Sequence, residues 1–340
     1  MGYRIGKNVI EFSEPPCILS SSSVAGKTES EGPLAREFDR CYTDDGIGCA
    51  SWEAAESELI KQAVNIVIDK SGLYRSDIDI VLAGDLLNQC TASTYGIRDL
   101  GIPFAGLFGA CSTMAYSMAL ASVLVDSKSF DNVIAATSSH FCSAEKQFRF
   151  PLEYGGQRAQ TAQRTVTGGA ASLIGRGFTD VYIKRVLFGK ITDYGVTDAS
   201  NMGAAMAPAA ASSVNDFLTD TATVPEDYDL IITGDLGSTG SELFEELMFE
   251  DYHLDVSSVH KDCGNLIFSS EKQDVHSGGS GCACSGLVVC SYIVNKIKKG
   301  DLHRVLFAGT GALMSPTITL QGESIPGIAH IVELSGRNTD

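Results

Sequence analysis

The chain carries 340 residues, 44% of them apolar and 20% charged. That is ordinary globular usage, which excludes long disorder and fits about two domains of ~150 residues each. With 25 Lys and Arg against 42 Asp and Glu the net charge is −17, a surface that repels phosphate backbones and anionic lipids and so argues against direct nucleic-acid or membrane-surface binding.

Read from the start, Met1-Gly2-Tyr3-Arg4-Ile5-Gly6-Lys7 leads into a short strand-like run, without the basic-then-apolar pattern of a signal peptide. Ser21 to Thr28 ends like a phosphate-binding Walker loop, but Ser21 stands where its first glycine belongs, so that reading is set aside. Ser51-Trp52-Glu53 opens a helix with Leu59, Ala63, Ile66 and Val67 at helical spacing and Gly72 after its end. Asp79 to Gly84 is a continuous apolar run between turn residues, as in a strand buried on both faces. Phe104 to Phe108 reads as a strand and Ser112 to Val125 as a long apolar helix. Gly203 to Ser213 is a small-residue helix or loop. No run approaches the ~18 apolar residues of a membrane-spanning helix. The ten cysteines include no CxxC pair, so a zinc site is not expected and the thiols are read as reduced; burial explains Cys282 and Cys284.

The pattern recurs. Asp79-Ile-Val-Leu-Ala-Gly-Asp-Leu86 lines up with Asp229-Leu-Ile-Ile-Thr-Gly-Asp-Leu236. Ala110-Cys111-Ser112 before one apolar helix matches Ala283-Cys284-Ser285 in another, and the strands Val133–Ala136 and Val305–Ala308 follow. Three matches in one order imply two copies of an α/β unit, placed at 1–178 and 179–340.

Two residues stand out chemically. Cys111 sits at a strand-to-helix junction, where unpaired N–H groups and the helix dipole favour thiolate, so a lowered pKa and a nucleophile are expected; the alternative is a buried structural thiol. His276 lies in Asp274-Val-His-Ser-Gly-Gly-Ser-Gly281 ahead of the second copy's helix, where an imidazole can activate a thiol or bind an oxyanion; the alternative is a plain loop histidine.

With these residues together, the chain resembles the thiolase superfamily: Gly109-Ala110-Cys111-Ser112, the His276 glycine loop, Thr167-Gly168-Gly169 leading into a strand, and Gly309 to Leu313 as a glycine-rich closing loop. The resemblance implies a thiolase-like α/β fold, two pseudo-symmetric halves in α-β-α-β-α layers, and a homodimer. Within the superfamily it is most similar to the stage V sporulation protein AD family, through Pro15-Pro16, Gly32-Pro33-Leu34, Gly84-Asp85-Leu86 and the Arg-rich stretch after His140. That likeness implies a protein that binds dipicolinic acid, free or as its calcium chelate, for uptake into the spore. It also implies a peripheral place on the cytoplasmic face of the forespore inner membrane, reached through membrane channel proteins. No cofactor is expected beyond calcium carried by the ligand.

The superfamily's catalytic set is incomplete here. Condensing enzymes also need a His or Asn after the strand Leu230–Thr233, and Gly234 stands there; Phe307 or Ala308 stands where degradative thiolases carry a second Cys. Losing one such donor costs roughly 100- to 1,000-fold in rate. A binding protein is therefore the leading reading, with an acyl-CoA condensing or acyl-transfer enzyme, Cys111 its nucleophile, as the alternative; Asp235 beside Gly234 keeps catalysis open. For a dianionic ligand the positive charge falls at Lys146, Arg149, Arg158 and Arg164 against Glu145 and Glu153 (4 − 2 = +2); local pairing of these charges is the plainer alternative. His140, at a strand's carboxyl end, is a second-rank pocket candidate.

Overall fold

The structure, a computed structural model, describes residues 2–149 and 158–337. Ten strands make up its frame: β1 (Cys17–Ala25), β2 (Ile80–Gly84), β3 (Phe104–Gly106), β4 (Asn132–Ser139), β5 (Gly168–Gly175), β6 (Val181–Leu187), β7 (Leu230–Thr233), β8 (His260–Asp262), β9 (Arg304–Ala312) and β10 (Gly327–Gly336). Side by side they run β8-β7-β9-β10-β6-β1-β5-β4-β2-β3. Outward from β1 the order is first, fifth, fourth, second, third; outward from β6 it is the same order shifted by five. Orientation repeats too: β2 is parallel to β3 and β4, and β7 to β8 and β9, while the remaining pairs within each set are antiparallel. The two sets touch through a single register pair, Tyr182 with Cys17.

Strand side chains alternate between faces, and here both faces are apolar. In β4, Val133 and Ala135 point to a central cluster while Ile134 and Ala136 point outward; in β9, Val305 and Phe307 point inward and Leu306 and Ala308 outward. Helix α1 (Trp52–Ser71) covers the outer face of the first set. It starts where the Ser51 hydroxyl accepts the Ala54 N–H (3.2 Å) and stops at Gly72 with φ +75°, a conformation that suits glycine. Between the sets lie α2 (Thr113–Asp126) and α6 (Cys282–Val288), the latter continuing through a π-helical turn into α7 (Val294–Lys299). Helices α4 (Met202–Thr221) and α5 (Gly237–Tyr252) cover the outer face of the second set. The result is five layers, helix–sheet–helix–sheet–helix. A short helix, α3 (Phe141–Phe148), follows β4.

The repeated octapeptide has a physical reason. Asp79 Oδ2 accepts the N–H groups of Asp131 and Asn132 (2.6 and 2.9 Å), tying β2 to the start of β4; Asp229 Oδ2 accepts those of His303 and Arg304 (2.6 and 2.9 Å), tying β7 to β9. The same carboxylate clamp sets strand register twice. One local reading changes. Gly309–Ala312 is not a closing loop: β9 runs through it, because β10 supplies antiparallel partners up to Gly327 opposite Ala312. The Walker-like string is mostly β1, buried and paired with β5, so its backbone is committed to a sheet. Gly203–Ser213 lies wholly inside α4.

Candidate functional site

Cys111 lies in the tight turn Ala110–Ser112 that feeds α2, with Ala110 at φ +49°. It is 6% exposed and packs with Leu86 and Cys282 under Ala144 and Phe148 of α3. Its Sγ is 3.9 Å from the Ser280 hydroxyl, which itself donates to Asp235 Oδ2 (2.9 Å). The Gly281 N–H donates to the same oxygen (2.9 Å), and the Thr310 hydroxyl donates to Oδ1 (2.7 Å) while accepting the Asp235 N–H (2.9 Å). The Gln163 amide bridges the carbonyls of Asp235 and Gly279 (2.7 and 2.8 Å). Five distant stretches of chain thus meet at one buried polar cluster: the α2 turn, the Gln163 segment, the end of β7, the start of α6 and the end of β9.

The electrostatics reverse the expectation of a low-pKa thiol. Burial raises the Cys111 thiol well above its ordinary value, and the Asp235 carboxylate adds to the rise. The helix dipole is outweighed because dipole stabilisation is worth at most ~2 kcal/mol while a fully buried charge loses far more solvation. Asp235 is itself raised by burial, opposed by the donors just named. Behind it, Asp262 accepts the N–H groups of Leu236 and Gly237 (2.8 and 2.9 Å) and is pushed up to about 7, mainly by burial. Only the thiolate alkylates. Cys111 is therefore expected to react with iodoacetamide more slowly than exposed Cys41 at pH 8, its rate still climbing above pH 9; peptide mass spectrometry reads both, and a plateau near pH 7 contradicts this electrostatic picture.

The remaining candidates are distributed as follows. The structure brings Asp235 to Cys111. It does not bring His276 there: the His276 ring bonds the Ala159 carbonyl through Nδ1 (2.9 Å) and pairs with Asp274 through Nε2 (3.0 Å). The residue facing Cys111 from that loop is Ser280, four positions on, because Gly278 and Gly281 at φ +104° and +100° turn the backbone inward between them. The signal for Ser280 was its place in the short parallel pairing of Arg164–Thr165 with Gly279–Ser280, invisible to local pattern. His140 is fully buried, caps α3 by accepting the Cys142 N–H (3.1 Å), bonds the Asp45 carbonyl (2.8 Å) and stacks on Trp52; burial lowers its pKa.

Arg149 pairs with Glu145 (2.8 Å) and Lys146 with Glu53 (2.5 Å), while Glu153 lies outside the described residues. Arg158 meets Asp274 (3.2 Å), and Arg164 donates to the Thr28 hydroxyl (3.2 Å) and lies over the Phe141 ring (3.9 Å to its centre). Among the described residues, Arg158 Nη1, Arg164 Nε and Glu29 Oε2 are buried without a hydrogen-bond partner; burial pushes Glu29 up to about 7, with Arg164 pulling against it. Gly234 also acquires a reason: a Cβ there would stand 2.8 Å from the Thr310 nitrogen and hydroxyl. The Asp235–Thr310 pair occupies the room a side chain at 234 would need. Among the described residues no group of His, Cys, Asp and Glu is arranged to hold a metal ion, and no helix is long and apolar enough to cross a membrane.

Solved structures share this architecture at low identity. A 3-oxoacyl-[acyl-carrier-protein] synthase III from Aquifex aeolicus VF5 is 12% identical with a TM-score of 0.55, covering 94% of this chain and 99% of that one. A cerulenin-bound OleA from Xanthomonas campestris is 13% identical with a TM-score of 0.55, covering 98% and 100%. These likenesses establish the thiolase-like fold and nothing about chemistry. The Stage V sporulation protein AD of Bacillus subtilis (strain 168) is 46% identical over 325 residues, 96% of each chain. The sequence model of the Stage V sporulation protein AD family matches residues 6–335. With a thiolase-like frame and a family match across nearly its whole length, the chain belongs to the Stage V sporulation protein AD family.

Proposed function

We propose that the protein is a non-catalytic binder of dipicolinic acid, free or as a calcium chelate, that serves its uptake into the spore. One observation carries the reading: two buried guanidinium nitrogens, Arg158 Nη1 and Arg164 Nε, lack partners on the segment whose strand pairs with Gly279–Ser280 beside Cys111. Buried donors without acceptors are costly unless something supplies one, and a ligand carboxylate matches the guanidinium fork. The Cys111 cluster supports binding over turnover, since its polar neighbours are Ser280, Asp235 and Thr310 and the thiol is held protonated. A homodimer, and peripheral attachment at the forespore inner membrane through channel proteins, complete the proposal.

Calorimetric titration with dipicolinate, with and without calcium, tests it. Saturable binding is expected, weakened about tenfold or more by Arg164→Gln or Arg158→Gln, since a charged hydrogen bond is worth ~1.5–3 kcal/mol. Absence of dipicolinate heat in both conditions sinks the proposal. A mass gain on Cys111 after incubation with acetyl-CoA would put an acyl-transfer enzyme in its place.

A further inference from the structure

On the outer face of the second half, far in the chain from the Cys111 cluster, α4 and α5 leave a groove of about 460 Å³. Its floor is apolar: Val196, Ala207 and Pro208 on one side, Leu243 and Leu247 on the other. Exposed Tyr194 (65%) lines one edge. Its charged lining is Glu246, Glu250 and Asp251, with no Lys or Arg. Positions 243, 246–247 and 250–251 recur at helical spacing, so one stripe of α5 carries both the apolar and the acidic components.

Two features of this groove run against ordinary helix design. Glu250 and Asp251 occupy the last turn of α5, where the dipole disfavours anions, and the helix contains no Lys or Arg to offset its acids. Pro208 sits inside α4, so the carbonyl of Ala204, a residue of the groove lining, loses its usual i+4 N–H donor. Acids at the wrong helix end and a backbone acceptor short of its donor both ask for cationic N–H groups. The one ion pair described close by, Lys190 with Asp216 (2.7 Å), already satisfies its own charge.

From this charge complementarity the geometry points to the α4–α5 groove as a docking site for a basic amphipathic segment of a partner protein. Its apolar side chains seat on Leu243, Leu247 and Pro208, and its Lys or Arg heads meet Glu246, Glu250 and Asp251. An anionic lipid surface is repelled by the same acids, so a membrane is not the occupant. The inference is independent of dipicolinate binding, which uses other residues.

The test is fluorescence anisotropy of a labelled helical peptide of patterned leucine and lysine, titrated with the full chain. Saturable binding is expected, weakened about tenfold by Glu246→Lys with Glu250→Lys, and hydrogen exchange should slow across 243–251. The control pair Glu31→Lys with Glu323→Lys, exposed elsewhere, should change it by less than about twofold. Equal weakening by the control pair would reduce the effect to net charge and overturn the site. Equal binding of a leucine–glutamate peptide, or preferential binding of phosphatidylglycerol vesicles, overturns it as well.

Discussion

Asp235→Ala is expected to destabilise the protein by about 3–6 kcal/mol, because it strands several buried donors at once, each worth ~1–3 kcal/mol when left unpaired. The Ser280 hydroxyl, the Gly281 N–H and the Thr310 hydroxyl all end on this carboxylate. Their loss releases the start of α6 from the end of β9 around the Cys111 thiol. Asp235→Asn removes the negative charge while its amide oxygen keeps one of the two acceptor positions. As that charge helps raise the Cys111 thiol, its removal lowers the thiol pKa, and alkylation at pH 8 should speed up about tenfold per pKa unit. Denaturant unfolding and alkylation rates read the two effects. An unchanged rate in Asp235→Asn would mean that burial alone sets the thiol.

The second large effect is expected at Glu333, which is 0% exposed in the middle of β10. Arg185 of β6 donates Nη1 to its Oε2 (3.1 Å) and Arg304 of β9 donates Nε to its Oε1 (2.6 Å). Arg185 reaches on to Glu11 (2.6 Å) and Arg304 to the Tyr228 hydroxyl (3.1 Å). Burial, followed by the Glu333 charge, pushes Tyr228 up to about 12. One buried carboxylate therefore bridges two guanidinium groups across three strands, with Glu11 supplying the second negative charge. Breaking a buried pair by removing one partner costs about 3–5 kcal/mol, so Glu333→Ala should lower Tm by roughly 5 °C at this size. A loss below about 1 kcal/mol would show that water compensates both arginines.

The legible part of the fold followed from period and repetition. The Ser51 cap, the α1 stripe and Gly72 were readable because capping and helical spacing are local. The Asp79 and Asp229 octapeptides were readable as a duplication because each aspartate performs the same clamp in its own half. The site was legible only where one residue carries it. Cys111 and Asp235 could be named from their junctions with α2 and β7, but their joining through Ser280 and Thr310 could not. Thr310 was hidden because Gly309–Ala312 looks like a loop in isolation, and only pairing with β10 makes it a strand.

His276 illustrates the limit most clearly. A histidine among glycines invites a catalytic role, yet which residue of such a loop faces inward depends on backbone dihedrals that glycine leaves open; here Ser280 faces Cys111. The sequence by itself determined the duplicated α/β frame, the family, the acidic surface and the thiol at the α2 junction, because those depend on local pattern and composition. Tertiary structure alone decided that the thiol is buried and protonated, that a carboxylate stands beside it, and which arginine nitrogens are left without partners. Burial and long-range hydrogen bonds set those properties, and neither is a function of neighbouring residues in the chain.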